Sequence, residues 1–140
     1  MLLSEWSALQ PWDSPPVYEY RLGPTPLLAG NVPVNPRVAA MLRVANRYAD
    51  LVGPMSPYLL VVEAKVVATP SAISQLQLYV NLVTSTPLPS AWQGLAVQPV
   101  LLWAIDDPVV HQMATAAGIR VIIYDPPWVA TYLNSKFYPA

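Results

Sequence analysis

Three charged side chains lie in two apolar segments that are typical of buried strands. Asp50 stands in ADLV, residues 49–52, and Glu63 and Lys65 stand in YLLVVEAKVV, residues 58–67. Because side chains alternate along a strand, Glu63 and Lys65 project from the same face. Burying a charge costs free energy unless the charge is paired or binds a metal ion. This strand therefore either exposes one face to water or lines a site.

The pair of carboxylates favours a site for a hard metal ion. A tight turn between the two strands can bring Asp50 and Glu63 side by side, and two carboxylates with a main-chain carbonyl and waters suit Mg²⁺. Lys65 could orient or deprotonate a water at the ion, or offset charge on a phosphate. Gln75 and Tyr79 are four residues apart on the helix predicted next, so they share one face. Both reach the site if that face meets the sheet edge.

The sequence also predicts the elements that must hold these residues. Asn35 and Pro36 predict the start of a helix that runs to about Tyr48. The segments that follow are a strand at 49–52, a turn at 53–57, a strand at 58–67, a helix from Thr69-Pro70-Ser71 to about Val83, a central strand at 100–105, a helix capped by Asp106 and Asp107 and ended by Gly118, and a strand at 119–124. Residues 17–22 could add a short strand. This order predicts an α/β fold with a mixed sheet flanked by helices.

The ordered set of Asp50, Glu63-Ala64-Lys65 and Gln75-xxx-Tyr79 resembles the PD-(D/E)XK nuclease superfamily, in particular its RecB-like branch with a QxxxY element. The resemblance covers residues 35–124. It implies a restriction-endonuclease-like fold. The core of that fold usually has three meandering strands between its first and second helices. Two are predicted here, unless residues 17–22 form the third.

The resemblance also implies roles for the five residues. Asp50, Glu63 and the backbone carbonyl of Ala64 would bind one or two Mg²⁺ or Mn²⁺ ions, and Lys65 would be the catalytic lysine. Gln75 and Tyr79 would position the ion site and the scissile phosphate. The reaction would be hydrolysis of phosphodiester bonds in DNA. Active members often carry a glutamate on the first helix, which the helix predicted at 36–48 lacks; the nearest upstream candidate is Glu19.

Proline and tryptophan divide the chain into three parts. These are a proline-rich extended arm at 1–33, the nuclease-like α/β core at 34–125 and an aromatic tail at 126–140, with nine of the 17 prolines in the two end segments. Apolar arms of this kind predict contact with another chain, in a homo-oligomer or a larger assembly. A second function therefore stays open: a structural or assembly protein, for example a phage virion component, that keeps a nuclease-like fold without activity.

The composition limits the alternatives further. The chain is 54% hydrophobic and 11% charged, where about 25% charged residues is usual. A net charge of −1 argues against a broad basic surface for nucleic acid and leaves a small local basic site open. The lack of cysteine excludes disulfides and thiolate metal sites. The sequence shows no signal peptide and no apolar run of about 18 residues. It thus predicts no membrane contact and a cytoplasmic or virion-associated location.

Overall fold

A five-stranded mixed sheet organises the chain in the computed structural model, which describes residues 1–23 and 47–137. The elements are, in chain order, α1 (Leu2–Ala8), β1 (Val17–Leu22), β2 (Arg47–Met55), β3 (Tyr58–Val67), α2 (Pro70–Val83), a 3₁₀ turn (Ser90–Trp92), β4 (Ala96–Ile105), α3 (Pro108–Ala116), β5 (Arg120–Ile123) and α4 (Trp128–Phe137). The strand order is β1-β2-β3-β4-β5. Strands β1, β2 and β3 are antiparallel neighbours, whereas β3, β4 and β5 are parallel. The predicted α/β fold with a mixed sheet between helices is confirmed.

Several local predictions are also confirmed, because their signals are strong and short-range. The strand at 58–67 has the predicted bounds. Helix α2 has Thr69 as its N-cap residue and Pro70 in its first turn, where the missing proline N–H costs nothing. The Asp107 side chain caps α3 by accepting hydrogen bonds from the backbone N–H groups of Val109 and Val110.

The predicted turn at residues 53–57 is shorter in the structure. Strand β2 continues through Gly53 and Pro54 to Met55, and the chain turns at Ser56-Pro57. Gly53 and Pro54 lie opposite Leu60 and Leu59 of β3. The pairing of two apolar strands thus overrides the preference of a Gly-Pro dipeptide for a turn.

The predicted helix at residues 35–48 lies outside the described residues except for its last two. Arg47 and Tyr48 belong to β2, where they lie opposite Leu22 and Arg21 of β1. Strand β1 is therefore the third strand of an antiparallel meander that precedes α2. The three meandering strands expected before the second helix are thus present, with β1 as the third.

In the described parts of the two end segments, residues 1–23 and 126–137, one helix of each segment packs on the sheet. Helix α1 precedes the first proline, and its Leu2 and Trp6 are only 6% and 4% exposed. At the other end, α4 follows Pro126-Pro127 and buries Val129 completely. Burial on the chain's own sheet removes this apolar surface from water. The described part of the expected N-terminal arm, residues 1–23, is a helix and an edge strand.

Helices cover both faces of the sheet. Helices α2 and α3 pack with the face that contains Leu59, Val61 and Trp103, and strand alternation puts Glu63 and Lys65 on that face. The opposite face, which includes Leu60 and Leu102, packs against α1 and α4. Among the described residues, no helix is long and apolar enough to cross a membrane.

Gly53→Ala is expected to destabilise the protein. A Cβ atom at Gly53 would lie 2.7 Å from the Cβ of Pro16 and 2.8 Å from the Trp12 ring, both on the segment that connects α1 to β1. Overpacking of this kind costs about 1–3 kcal/mol. Urea denaturation measures the loss. The loss should shrink in a Trp12→Ala background, so additive effects of the two changes would contradict this account.

Candidate active site

The candidate site lies where β2 and β3 separate. Their last paired residues are Leu51 and Val62, beyond which β3 continues alongside β4. Asp50 and Glu63 are the next residues on the two strands. The Asp50 carboxylate accepts a hydrogen bond of 2.8 Å from the backbone N–H of Ala64. At this point the Asp50 side chain, and not the backbone of β2, accepts the hydrogen bond from β3. This contact holds Asp50 beside β3.

The backbone of Ala64 contributes a second oxygen on the same side. The N–H and C=O groups of one strand residue point in the same direction, toward the same neighbouring strand. Because the Ala64 N–H points to Asp50, its carbonyl oxygen points to the β2 side as well. The structure therefore places two carboxylates and one main-chain carbonyl at the divergence of the strands.

Glu63 is a buried carboxyl group with a raised pKa. The residue is 4% exposed. Its pKa is raised from 4.5 to about 7: burial makes the largest contribution, the charge of Asp50 adds to it, and the nearby Lys65 opposes the shift. The carboxyl groups of Asp50 and Glu63 are close enough to share a hydrogen bond when one is protonated. Two like charges at this separation favour a cation between them.

Lys65 lies close to the buried Glu63 carboxyl and is itself partly exposed. Its Nζ lies 3.6 Å from Glu63 Oε1, and its side chain is 38% exposed against 5% for Glu63. Lys65 also lines a surface cavity together with Asp50 and Ala64. Lys65 is therefore both close to the buried Glu63 carboxyl and partly exposed to solvent.

Gln75 and Tyr79 approach the carboxylates from α2. Tyr79 is 6% exposed. Burial raises its pKa, and the negative charges of Glu63 and Asp50 raise it further, which shows that the phenol lies within electrostatic reach of the pair. Gln75 lies one turn earlier on the same helix face. The structure thus brings Asp50, Glu63, Lys65 and Tyr79 to one region, and Gln75 shares the helix face of Tyr79.

Two atoms of this region lack a hydrogen-bond partner. Across residues 1–23 and 47–137, the buried side-chain oxygen or nitrogen atoms without a partner are Glu63 Oε2 and Gln75 Oε1. Leaving such a group unsatisfied costs about 1–3 kcal/mol, and more when it is charged. Both belong to the predicted site, which indicates that a ligand or solvent normally satisfies them.

The donor set fits a magnesium or manganese ion. Its members are oxygen atoms from two carboxylates and a carbonyl, and Mg²⁺ binds through one or two carboxylates while it keeps several waters. The described residues contain no group of three or more His, Cys, Asp or Glu side chains that could hold a metal ion. The protein ligands are thus few, as is typical of ions that also bind a substrate phosphate.

Sequence reasoning missed Arg47 as a neighbour of the site. Its positive charge lowers the pKa of Tyr79 and partly offsets the effect of the two carboxylates. The helix predicted to reach Tyr48 concealed its position at the start of β2. The alternation of side chains along a strand could have shown it, because Arg47 and the buried Ala49 are two residues apart on a strand and share a face.

The two glutamates that precede Asp50 in the described residues, Glu5 and Glu19, lie on α1 and β1. Glu19 is exposed on β1, across from Asp50 in the register, and its φ of 50° interrupts the pairing there. Glu5 lies on the first helix, where its carboxylate accepts hydrogen bonds of 2.9 and 3.0 Å from the Trp128 indole N–H. Glu5 therefore ties α1 to α4 beside the site.

Asp106 directly follows β4, and His111 lies on α3. Asp106 accepts a 2.9 Å hydrogen bond from the indole N–H of Trp103, and its other oxygen lies 2.9 Å from His111 Nδ1. These contacts join α3 to the sheet.

Comparison with known proteins gives one structural likeness. A scan of protein-family models finds no match to this chain, and a search of curated proteins finds none either. The chain is similar to a solved structure, a repair endonuclease from Pyrococcus abyssi, with a TM-score of 0.46 and 20% sequence identity. The likeness covers 57% of this chain and 34% of that one, so this chain spans about a third of that endonuclease's length.

Proposed function

We propose that this protein is a metal-dependent nuclease that hydrolyses phosphodiester bonds in DNA. The observation that carries the proposal is the buried, unpartnered Glu63 Oε2 beside a second carboxylate and a partly exposed lysine. A buried carboxylate oxygen without a partner costs free energy, which supports a ligand at this position. A cation that binds there favours the charged form of Glu63 and offsets the cost of its burial.

Asp50, Glu63 and the Ala64 carbonyl would hold a Mg²⁺ or Mn²⁺ ion. When bound, such an ion stabilises negative charge on a phosphate as a Lewis acid. The Asp50 side chain is fixed for this role by its hydrogen bond to Ala64. The Glu63 side chain is fixed by burial against α2 and by the nearby Lys65.

Lys65 would act on the substrate directly. Hydrolysis forms a P–O bond from water and breaks the P–O bond to one sugar, whose oxygen takes a proton; the second water proton leaves to solvent. Negative charge grows on the phosphate during this step, and the Lys65 ammonium at the cavity surface can donate hydrogen bonds to its oxygens. Gln75 and Tyr79 would orient the carboxylates and the phosphate from the α2 side.

Incubation of the purified chain with single-stranded and duplex DNA tests the proposal. We expect cleavage with Mg²⁺ or Mn²⁺ and none with EDTA. We also expect each metal ion, without DNA, to raise the melting temperature, because a ligand that binds only the folded state stabilises it. Asp125→Asn changes an exposed carboxylate that is not one of the predicted site residues, and it serves as a control. The absence of both effects would favour the structural or assembly function instead.

A further inference from the structure

Strand β1 contains one residue in an unfavourable backbone conformation. Glu19 has a φ of 50°, and within residues 1–23 and 47–137 it is the only residue other than glycine whose φ is positive. This left-handed region is disfavoured for any residue with a Cβ atom, and most strongly for a β-branched one. Such a conformation persists only where the surrounding structure imposes it. In the strand register, Glu19 lies across from Asp50.

The unfavourable conformation coincides with a change of side-chain alternation in β2. Side chains an odd number of residues apart on a regular strand project from opposite faces. Val52 and Ala49 are three residues apart, yet both pack in the core under α2 and α3. Leu51, between them, packs in the core under α1 and α4. The alternation in β2 therefore reverses at Asp50.

Strand β1 reverses at the same level. Tyr18 lies opposite Leu51, and Tyr20 lies opposite Ala49. Residues opposite each other in an antiparallel pair project from the same face. The two tyrosines therefore project from opposite faces, although regular alternation would put residues two apart on one face. The pairing resumes with an unchanged register on both sides, so the reversal in β1 falls at Glu19.

The reversal changes the direction of the Asp50 side chain. A regular side chain stands roughly perpendicular to the sheet, whereas the backbone N–H groups of a neighbouring strand lie close to the plane of the sheet. The Asp50 carboxylate accepts a hydrogen bond from such a group, the N–H of Ala64, at 2.8 Å. The reversal of alternation therefore turns Asp50 toward β3.

We propose that Glu19 is a positioning residue for the candidate site and that it acts through its backbone. Its left-handed φ lets β1 follow the reversal in β2, so that Leu22 stays in the core under α2 while Asp50 turns toward Ala64. The Glu19 carboxylate is exposed and takes no part. The consequence for metal binding and cleavage rests on the proposed function, in which Asp50 is a metal ligand.

Hydrogen exchange of the Ala64 amide, measured by NMR in EDTA, tests the proposal without metal or DNA. Glu19→Val should accelerate this exchange by roughly 10- to 150-fold, the range for loss of a hydrogen bond to a charged group, because valine is excluded from the left-handed region. Glu19→Gly should keep the wild-type rate, since glycine adopts a positive φ at no steric cost. Glu19→Gln removes only the charge and should also keep the wild-type rate.

Two controls separate this local effect from a general loss of stability. The amides of Leu101 and Trp103, in the central strand β4, exchange through wider opening of the structure, and Glu19→Val should accelerate them less than Ala64. Tyr18→Val puts the same side chain at a neighbouring position of β1 whose φ is negative, and it should leave Ala64 exchange unchanged.

A comparison of melting temperatures keeps the proposal falsifiable if Glu19→Val does not fold. Glycine is less favourable than alanine in a regular strand, but at a positive φ the order reverses. Glu19→Gly should therefore melt at a higher temperature than Glu19→Ala, whereas Tyr18→Gly should melt at a lower temperature than Tyr18→Ala.

Three results would overturn the proposal. They are an Ala64 exchange rate that Glu19→Val leaves unchanged, faster exchange in Glu19→Gln, which would assign the role to the carboxylate, and a melting temperature of Glu19→Gly below that of Glu19→Ala. A parallel cleavage assay with Mg²⁺ distinguishes the two proposals. Exchange that responds to Glu19→Val in a protein that never cleaves DNA retains the positioning of Asp50 and removes the nuclease. Cleavage by wild type with unresponsive exchange retains the nuclease and removes the role of Glu19.

Discussion

Lys65→Met is expected to lower the rate of metal-dependent DNA cleavage by about 10²- to 10⁴-fold, the range for loss of one positioned proton-transfer or charge-stabilising group. The Lys65 ammonium is the cation nearest to the buried carboxyl of Glu63 in the described contacts, and its side chain is 38% exposed. Methionine keeps most of the stem of the side chain and removes only the charge and the hydrogen-bond donors. Single-turnover cleavage of labelled DNA measures the effect.

The fold of this variant should survive at mildly acidic pH. Lys65 lowers the pKa of Glu63, so its loss raises that pKa above its present value of about 7 and leaves Glu63 protonated at pH 6. A protonated carboxyl needs no cation partner. Thermal melting at pH 6 provides the folding control, and Arg120→Met, on the exposed start of β5, provides the matched loss of a cation. Cleavage by Lys65→Met at the wild-type rate would remove Lys65 from the mechanism.

Glu63→Gln is expected to abolish cleavage and, without metal, to stabilise the protein above pH 7. The folded-state pKa of Glu63 is raised from 4.5 to about 7. Between these values the unfolded chain releases the proton while the folded chain keeps it, so stability falls as pH rises. Glutamine carries no titrating proton and escapes this loss. After allowance for solvent near Lys65, the expected gain is about 2 kcal/mol at pH 8.

Denaturation in urea with EDTA, at pH 4 and pH 8, measures this difference. The two proteins should differ least at pH 4, where Glu63 is protonated in both folded and unfolded states. Asp125→Asn is the matched control, because it removes an exposed carboxylate and should show no such pH dependence. A wild-type protein whose stability rises from pH 5 to pH 8 relative to Glu63→Gln would contradict the buried, raised-pKa assignment.

Local sequence signals predicted the elements that carry the candidate site. The strand at 58–67 follows from its β-branched and apolar residues, and α2 follows from Thr69-Pro70 and its apolar periodicity. Each signal involves residues that are near one another in the chain. The co-location of Asp50 and Glu63 was predictable for the same reason, because a hairpin brings its two strands together.

Other features needed contacts between distant segments. The pairing of β1 with β2 joins residues about 30 positions apart, and it placed Arg47 on a strand. The folding of α1 against the sheet depends on apolar surface supplied by β3 and β4. The proline-rich segments suggested extended arms, because the conformational preferences of neighbouring residues carry no information about the apolar surface of β3 and β4.

The sequence determined the chemical groups and their order along the chain: two carboxylates, a lysine, a glutamine and a tyrosine. The tertiary structure decided how these groups behave. The separation of β2 from β3 opens space at the carboxylates, α2 buries Glu63 and raises its pKa, and α4 brings Tyr132 and Lys136 beside Lys65. Burial and charge proximity depend on distances in space, which spacing along the chain cannot specify.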